Sequence, residues 1–330
     1  MLVVSADVGG TFLKAGLVDR NGRIYECSTA PTKASQGREA VLKQLFAVIQ
    51  NLLDKARGKG SVVGIGLGVT GQVDFSTGRI IGGLEGKIPG WIGTPIKEII
   101  EDSFNLPAFV DNDGNVAAIG EFTVGAGKGV RDMVCLTIGT GIGSGIIVDG
   151  KLLRKVTGSA GEVGHVSIAF NGIPCGCGST GCLELYASAS SMIRRAVEAI
   201  KGGAKTIISS LVNGNLETIN IATIRDAAER DDRFALKLIR DTAFYLGVGL
   251  ANVVNILGPE LIVIGGGIVP LAPFLIEELA DVVETRAFYT ASEGLRIVAS
   301  QLGPYAGVIG AGLMVFQELE AVRSVEGGGE

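Results

Sequence analysis

The segment 161–188 reads GEVGHVSIAFNGIPCGCGSTGCLELYAS and concentrates the chemistry of a metal site. It contains His165, the only histidine among 330 residues, and three of the five cysteines, Cys175, Cys177 and Cys182. One imidazole and three thiolates complete a tetrahedral shell for Zn²⁺. A shell closed by four protein ligands leaves no position for water or substrate. The zinc is therefore structural, and a zinc-dependent hydrolase is excluded as long as His165 binds. The bland alternative, buried thiols around a core histidine, suits PCGCGSTGC poorly, because that run is glycine-rich and polar. Glu162 and Glu184 flank the set and are not needed as ligands. They are left to accept hydrogen bonds from a polyhydroxylated ligand, in positions the metal fixes. Cys27 and Cys135 fall in apolar, strand-like runs and read as inert core thiols.

Two glycine-rich turns suggest phosphate. In DVGGT, Asp7, Gly9, Gly10 and Thr11 end an apolar run. Glycines let backbone N–H groups approach phosphate oxygens, and Asp7 would sit where Mg²⁺ is usually wanted. A plain hairpin turn remains the other reading of DVGGT. TIGTGIGSG, residues 137–145, holds four glycines and three hydroxyl residues, more than a turn requires. Neither run is a Walker A loop or a dinucleotide fingerprint. Between them lies VDNDGN, residues 110–115, at a strand-to-helix junction. Asp113 reads either as a cap for the helix that follows or as a general base beside the amide of Asn112.

These groups need a scaffold. The runs 2–10, 12–19 and 22–30 read as a strand meander, and 132–153 repeats its plan: strand, Gly/Thr turn, strand, polar turn, strand. Helical spacing marks 38–57, 94–104, 114–125, 186–201, 221–230 and 233–256. Strands are expected at 62–71, 107–113 and 260–268, and the tail 325–330 should be loose. Glycine is abundant, 51 residues, and hydrophobic residues reach 47%. The longest apolar stretch, 261–280, carries three glycines, two prolines and a Glu pair, so it reads as core and not as a membrane helix. The start MLVVSADVGG lacks a signal-peptide pattern, and the net charge is −5 without a basic block. Secretion and nucleic acid as a main partner are disfavoured, and a cytoplasmic location is expected.

Asp7–Thr11, Asn112–Asp113, Thr137–Gly145, Glu162–His165 and Cys175–Glu184 occur in the order found in the ROK family of sugar kinases and repressors. The chain resembles that family over essentially its whole length, and GEVGH and CGCGSTGCLE are the most specific marks. The resemblance implies a two-lobed α/β protein of the actin/hexokinase-type (ribonuclease H-like) ATPase fold with a zinc knot. It implies an ATP- and Mg²⁺-dependent hexose kinase, homodimeric or larger, that phosphorylates the 6-hydroxyl. By that resemblance Asp113 is the base, and Gly71, Asn112, Glu162, His165 and Glu184 hold the sugar. Asp7, Gly9, Gly10 and Thr11, with Thr137, Gly139, Thr140 and Gly141, would surround the phosphates, and Gly265 and Gly266 the adenosine. The first lobe would hold residues 1–113 and a returning helix near 305–322, and the second 114–304.

Two departures bear on the sugar. Thr70–Gly71 replaces the usual Pro-Gly, and the loop GGLEGKIPGW, residues 82–91, lacks the family's Asn-Leu. Glucose is the expected sugar, with N-acetylmannosamine or N-acetylglucosamine as the alternative. A sugar-responsive repressor would carry a DNA-binding segment ahead of the first hairpin, which here begins at Val3. An actin-like ATPase or chaperone would not need two glutamates beside a zinc knot.

Overall fold

A computed structural model describes residues 1–83, 86–154, 158 and 160–326. Leu84 and Glu85 of the 82–91 loop, and 327–330 of the tail, lie outside the described residues. The chain forms strands β1 (Leu2–Val8), β2 (Phe12–Asp19) and β3 (Ile24–Pro31), helix α1 (Arg38–Ala56), β4 (Val62–Val69), and the short hairpin β5 (Gln72–Asp74) and β6 (Arg79–Gly82). Helix α2 (Ile96–Phe104), β7 (Ala108–Asn112) and α3 (Asp113–Val124) follow. Next come β8 (Met133–Ile138), β9 (Ile142–Val148) and β10 (Lys151–Leu152), then α4 (Glu184–Ala187), α5 (Ala189–Lys201), α6 (Ile208–Leu211), α7 (Ile221–Ala228) and α8 (Arg233–Leu257). The chain ends with β11 (Leu261–Gly265), α9 (Ala272–Arg286), β12 (Arg296–Ala299) and α10 (Ala306–Glu326).

Two five-stranded sheets run in the orders β3-β2-β1-β4-β7 and β10-β9-β8-β11-β12. In the first, β1 and β3 are antiparallel to β2, while β4 and β7 are parallel to β1. In the second, β10 is antiparallel to β9, and β8, β11 and β12 are parallel. The repeated strand order is the duplication expected from the two glycine-turned meanders. β1 is buried on both faces, whereas the edge strand β3 alternates. That alternation exposes Cys27, so it is not a core thiol; Cys135 on β8 is buried. Apolar residues were legible on β3, but not the fact that it lies at a sheet edge.

The compact units comprise 1–131, 145–161 and 304–330, and 132–144 and 162–303. Residues 114–131 and 145–161 thus group with the first unit and not with the second as expected. The cause is α3, which packs along α10. The helix α10 includes much of Gly303–Val322, the one span among the described residues long and apolar enough to cross a membrane. It is instead a core helix: Val308, Ala311, Met314 and Val315 are fully buried.

Glycine makes this packing possible. On β4, Gly64, Gly66 and Gly68 share one face by the two-residue period of a strand. A Cβ on Gly66 would collide with the Ala311 carbonyl of α10, and one on Gly68 with Val116 of α3. Gly310 of α10 likewise has the Val116 carbonyl where its Cβ would be. Helix α3 is therefore seated by backbone contact, and its N-terminus is Asp113. We predict that Gly310→Ala lowers unfolding free energy by at least about 2 kcal/mol, whereas Gly60→Ala, with only ordinary contact to Leu2, changes it by less than about 0.5 kcal/mol. Urea titrations of the two variants check this.

Candidate functional site

In the first unit, the turn after β1 is closed by the Gly9 N–H donating to Phe12 O (3.1 Å) and by Thr32 Oγ1 donating to Gly9 O (2.7 Å). Thr11 is exposed at its tip. Asp7 ends β1, half-buried, and its carboxyl is pushed up to about 7. Desolvation is the main cause, the nearby Asp113 carboxylate adds to it, and Lys14 opposes it. Lys14 is tethered by its Nζ donating to Pro304 O at 3.0 Å. The start of α10 reaches the same spot, since a Cβ on Gly307 would lie 2.6 Å from Asp7 Oδ2. Two carboxylates thus face each other here, with Lys14 as a partial counter-charge.

Asn112, not Asp113, caps α3. Its Oδ1 accepts from Gly114 N (2.8 Å) and Asn115 N (3.4 Å), and its Nδ2 donates to Gly71 O (2.9 Å). Asp113 takes the first helical position, where Oδ1 accepts from Gly114 N at 2.9 Å. Gly71 has φ +105°, and a Cβ there would lie 2.8 Å from Gly82 O, so glycine is required. Asp113, Asn112 and Gly71 are thereby gathered at one strand end. Lys87 of the 82–91 loop passes over the DVGGT turn, with Cε 3.4 Å from where a Gly10 Cβ would be. Sequence reasoning missed Lys87, Lys14 and Gly307, because nothing local marks a residue that meets Asp7 or Gly10 only through the fold.

In the second unit, Gly139 N donates to Gly141 O (2.9 Å), Ala189 N to Gly139 O (3.0 Å), and Ser190 Oγ to Thr140 O (2.5 Å), so α5 starts against the loop. Thr137 pairs in register with Gly265. Gly266, at φ +84°, leaves 2.6 Å between its absent Cβ and Ile138 N. The second glycine-rich loop and the 265–266 turn are thus neighbours. Glu184 Oε2 accepts from Ile142 N at 2.8 Å and fills the place of a Gly141 side chain. Val163 N donates to Ser144 Oγ at 3.2 Å, which lays GEVGH beside β9. Glu162, His165 and Glu184 therefore sit in the same unit as the glycine-rich run Thr137–Ser144.

The ligand atoms of His165, Cys175, Cys177 and Cys182 all lie within 4.8 Å of one another. His165 Nδ1 and Cys175 Sγ are 3.7 Å apart, and Cys177 Sγ and Cys182 Sγ 3.6 Å. A Zn–S bond of about 2.3 Å implies sulfur–sulfur edges of roughly 3.8 Å in a tetrahedron, so the set fits zinc. Burial, with the neighbouring thiols adding, pushes the Cys182 thiol up to about 12. A backbone hydrogen bond from Ser179 holds Cys177 below the usual thiol range. A dication at the centre would resolve this by binding the thiolates.

The ROK family model matches residues 3–318. A glucokinase of Halalkalibacterium halodurans is 36% identical over 99% of this chain and 98% of its own length. A xylose repressor of Caldicellulosiruptor bescii is 32% identical over 96% of this chain and 78% of its own. A ROK family glucokinase from Streptomyces griseus, solved in complex with glucose and AMPPNP, superposes with a TM-score of 0.86 at 31% identity, covering 95% of this chain and 99% of that one. The chain belongs to the ROK family, and its fold is the actin/hexokinase-type ATPase fold.

Two predictions follow from this geometry. Freshly purified protein should carry about one zinc per chain, and Cys177→Ala should lose the metal and open 161–188 to protease. Metal analysis with limited proteolysis checks both. The second concerns Asp7. Its folded-state pKa of about 7 exceeds the ordinary 3.8, so the stability it lends is complete below about pH 3.8 and lost as pH rises through 7. Asp7→Asn should therefore stabilise the nucleotide-free protein by about 2–4 kcal/mol near pH 8, and the gain should vanish toward pH 4. Denaturant midpoints at the two pH values decide it.

Proposed function

We propose that the protein is an ATP-dependent sugar kinase that transfers the γ-phosphoryl group of ATP to the 6-hydroxyl of a hexose, with glucose the expected sugar. The observation that carries this reading is Asp113 at the first turn of α3, beside Asn112 and the Gly71 turn, in a chain of the ROK family. The similarity to glucokinases, one of them bound to glucose and AMPPNP, supports it.

In the proposed reaction a carboxylate oxygen of Asp113 takes the proton of the sugar 6-hydroxyl. The sugar 6-oxygen so freed attacks the γ-phosphorus, the bond from that phosphorus to the β–γ bridging oxygen breaks, and ADP leaves. Asn112 Nδ2, fixed by Gly71 O, orients the sugar-facing turn. Glu162, Glu184 and His165 accept or donate hydrogen bonds to sugar hydroxyls, and the zinc knot holds them rigid. The DVGGT turn and Thr137–Gly141 offer backbone N–H groups to phosphate oxygens, with Gly265 and Gly266 at the adenosine. Lys87, over Gly10, adds a cation to the donor phosphates. Mg²⁺ near Asp7 would neutralise phosphate charge, and zinc, when bound, supplies only structural order. Homodimeric assembly and a cytoplasmic location complete the reading.

The sugar's C2 side is assigned to the loop 82–91, which begins at Gly82 against Gly71. Pocket shape alone discriminates an added apolar group by only about 1–3 kcal/mol, so mannose-type or N-acetylated sugars should be turned over beside glucose. A sugar-responsive repressor is the second reading, favoured by the xylose-repressor relative. It predicts sugar binding without turnover.

A coupled ADP-release assay over a hexose panel tests the proposal. Glucose should be phosphorylated, and Asp113→Ala should still bind glucose while kcat falls by about 10²–10⁴-fold. A variant retaining more than about a third of turnover would contradict the base assignment. N-acetylmannosamine ahead of glucose by about tenfold in kcat/KM would reverse the choice of sugar.

A further inference from the structure

Asp111, two residues before Asp113, is 1% exposed. A carboxylate so removed from water persists only if its charge and lone pairs are matched. Here they are. Oδ1 accepts from Asn112 N (2.7 Å) and Asn115 Nδ2 (2.8 Å), and Oδ2 accepts from Arg154 Nε (2.7 Å). The Arg154 guanidinium also lies over the Phe75 ring, 3.7 Å from its centroid. Phe75 follows β5 directly, and β5 begins next to Gly71, whose carbonyl accepts from Asn112. One cation thus closes a circuit through Asp111, Asn112, the Gly71 turn and Phe75, all within the first unit. Lysine could not close it. Only a planar guanidinium donates a directed Nε–H to a carboxylate while stacking on an aromatic face.

We propose that Arg154 is a positioning residue for phosphoryl transfer: through the Asp111 carboxylate and the Phe75 ring it holds Asn112, Asp113 and the Gly71 turn in one arrangement. This rests on the kinase reading above. Arg154 acts through Asp111 and touches neither substrate. Without it, Asp111 is a buried charge with no counter-ion and must draw in water or turn outward. Either movement breaks its bonds to Asn112 N and Asn115. Asn112 is the cap of α3, so the first turn, which carries Asp113, loosens with it. The DVGGT turn is not part of the circuit. The loss therefore falls on kcat and not on the binding of the phosphoryl donor.

The test compares wild type, Asp113→Ala, Arg154→Met, Arg154→Lys and the double variant Asp111→Asn/Arg154→Met, at full length and with zinc. Arg154→Met should keep its zinc and a KM for MgATP within about twofold, while kcat falls about 10–100-fold. Hydrogen exchange over 111–116 and 72–82 should quicken by at least about tenfold. Arg154→Lys should fall between wild type and Arg154→Met. The double variant removes the unmatched charge and should recover at least about fivefold in kcat over Arg154→Met. Wild-type kcat and unchanged exchange in Arg154→Met would overturn the proposal. So would a double variant no faster than Arg154→Met, since Arg154 would then not act through Asp111. If wild type phosphorylates no hexose, the kinase reading fails, and the exchange data alone decide whether Arg154 holds the turn. If Arg154→Met does not fold, Arg154→Lys and the double variant carry the same comparison.

Discussion

Where α10 crosses β4 and α3, glycines let backbone approach backbone. Gly66 faces the Ala311 carbonyl and Gly310 the Val116 carbonyl, and a Cβ at either position would overlap an oxygen. Dispersion falls steeply with separation, so this close approach gains contact along the whole crossing. It also leaves no freedom for α3 to shift. The proposed base stands at the first turn of that helix. The same device recurs in the second unit, where Gly141 admits the Glu184 carboxylate and Gly266 lies on the end of β8. A glycine content of 51 residues is thus a packing requirement as much as a set of turns.

Charge is the second constraint. Asp7, Asp111 and Asp113 all lie at strand ends of one sheet. Each is managed differently. Asp111 is neutralised permanently by Arg154. Asp7 is desolvated and faces Asp113 with only Lys14 opposing, so its carboxyl is pushed up to about 7. Asp113 stays at a helix N-terminus, where the backbone dipole favours the carboxylate.

Much of this was legible in the sequence where the signal was local. The zinc set was readable because its four ligands fall within eighteen residues and the chain holds no other histidine. The two glycine-turned meanders were readable because each repeats the other's strand–glycine–strand plan, and the two sheets repeat one strand order. What failed was non-local. Cys27 read as core because an apolar strand does not reveal that it lies at an edge. Asp113 read either as the cap of α3 or as a base beside Asn112, and nothing local showed that the cap is Asn112, whose Oδ1 accepts from Gly114 N and Asn115 N. Arg154 sits 43 residues from Asp111 in an unremarkable LLRK run, so nothing in its neighbourhood announced a buried ion pair. The helix α9 was hidden because Pro273 in its first turn, Pro270 just before it and the preceding glycines read as punctuation, although a proline at a helix start is well tolerated.

The proposed role of Asp113 is that of a carboxylate base for phosphoryl transfer to a sugar. Its most direct test is identification of the product. Wild-type protein, loaded with zinc, is incubated with MgATP and glucose, and the mixture is followed by phosphorus NMR and mass spectrometry. A single new phosphomonoester on the C6 oxygen of the sugar is expected, formed in equal amount with ADP. Glucose that protects the protein from unfolding but yields no sugar phosphate with any hexose tried would contradict it and identify a sugar sensor instead.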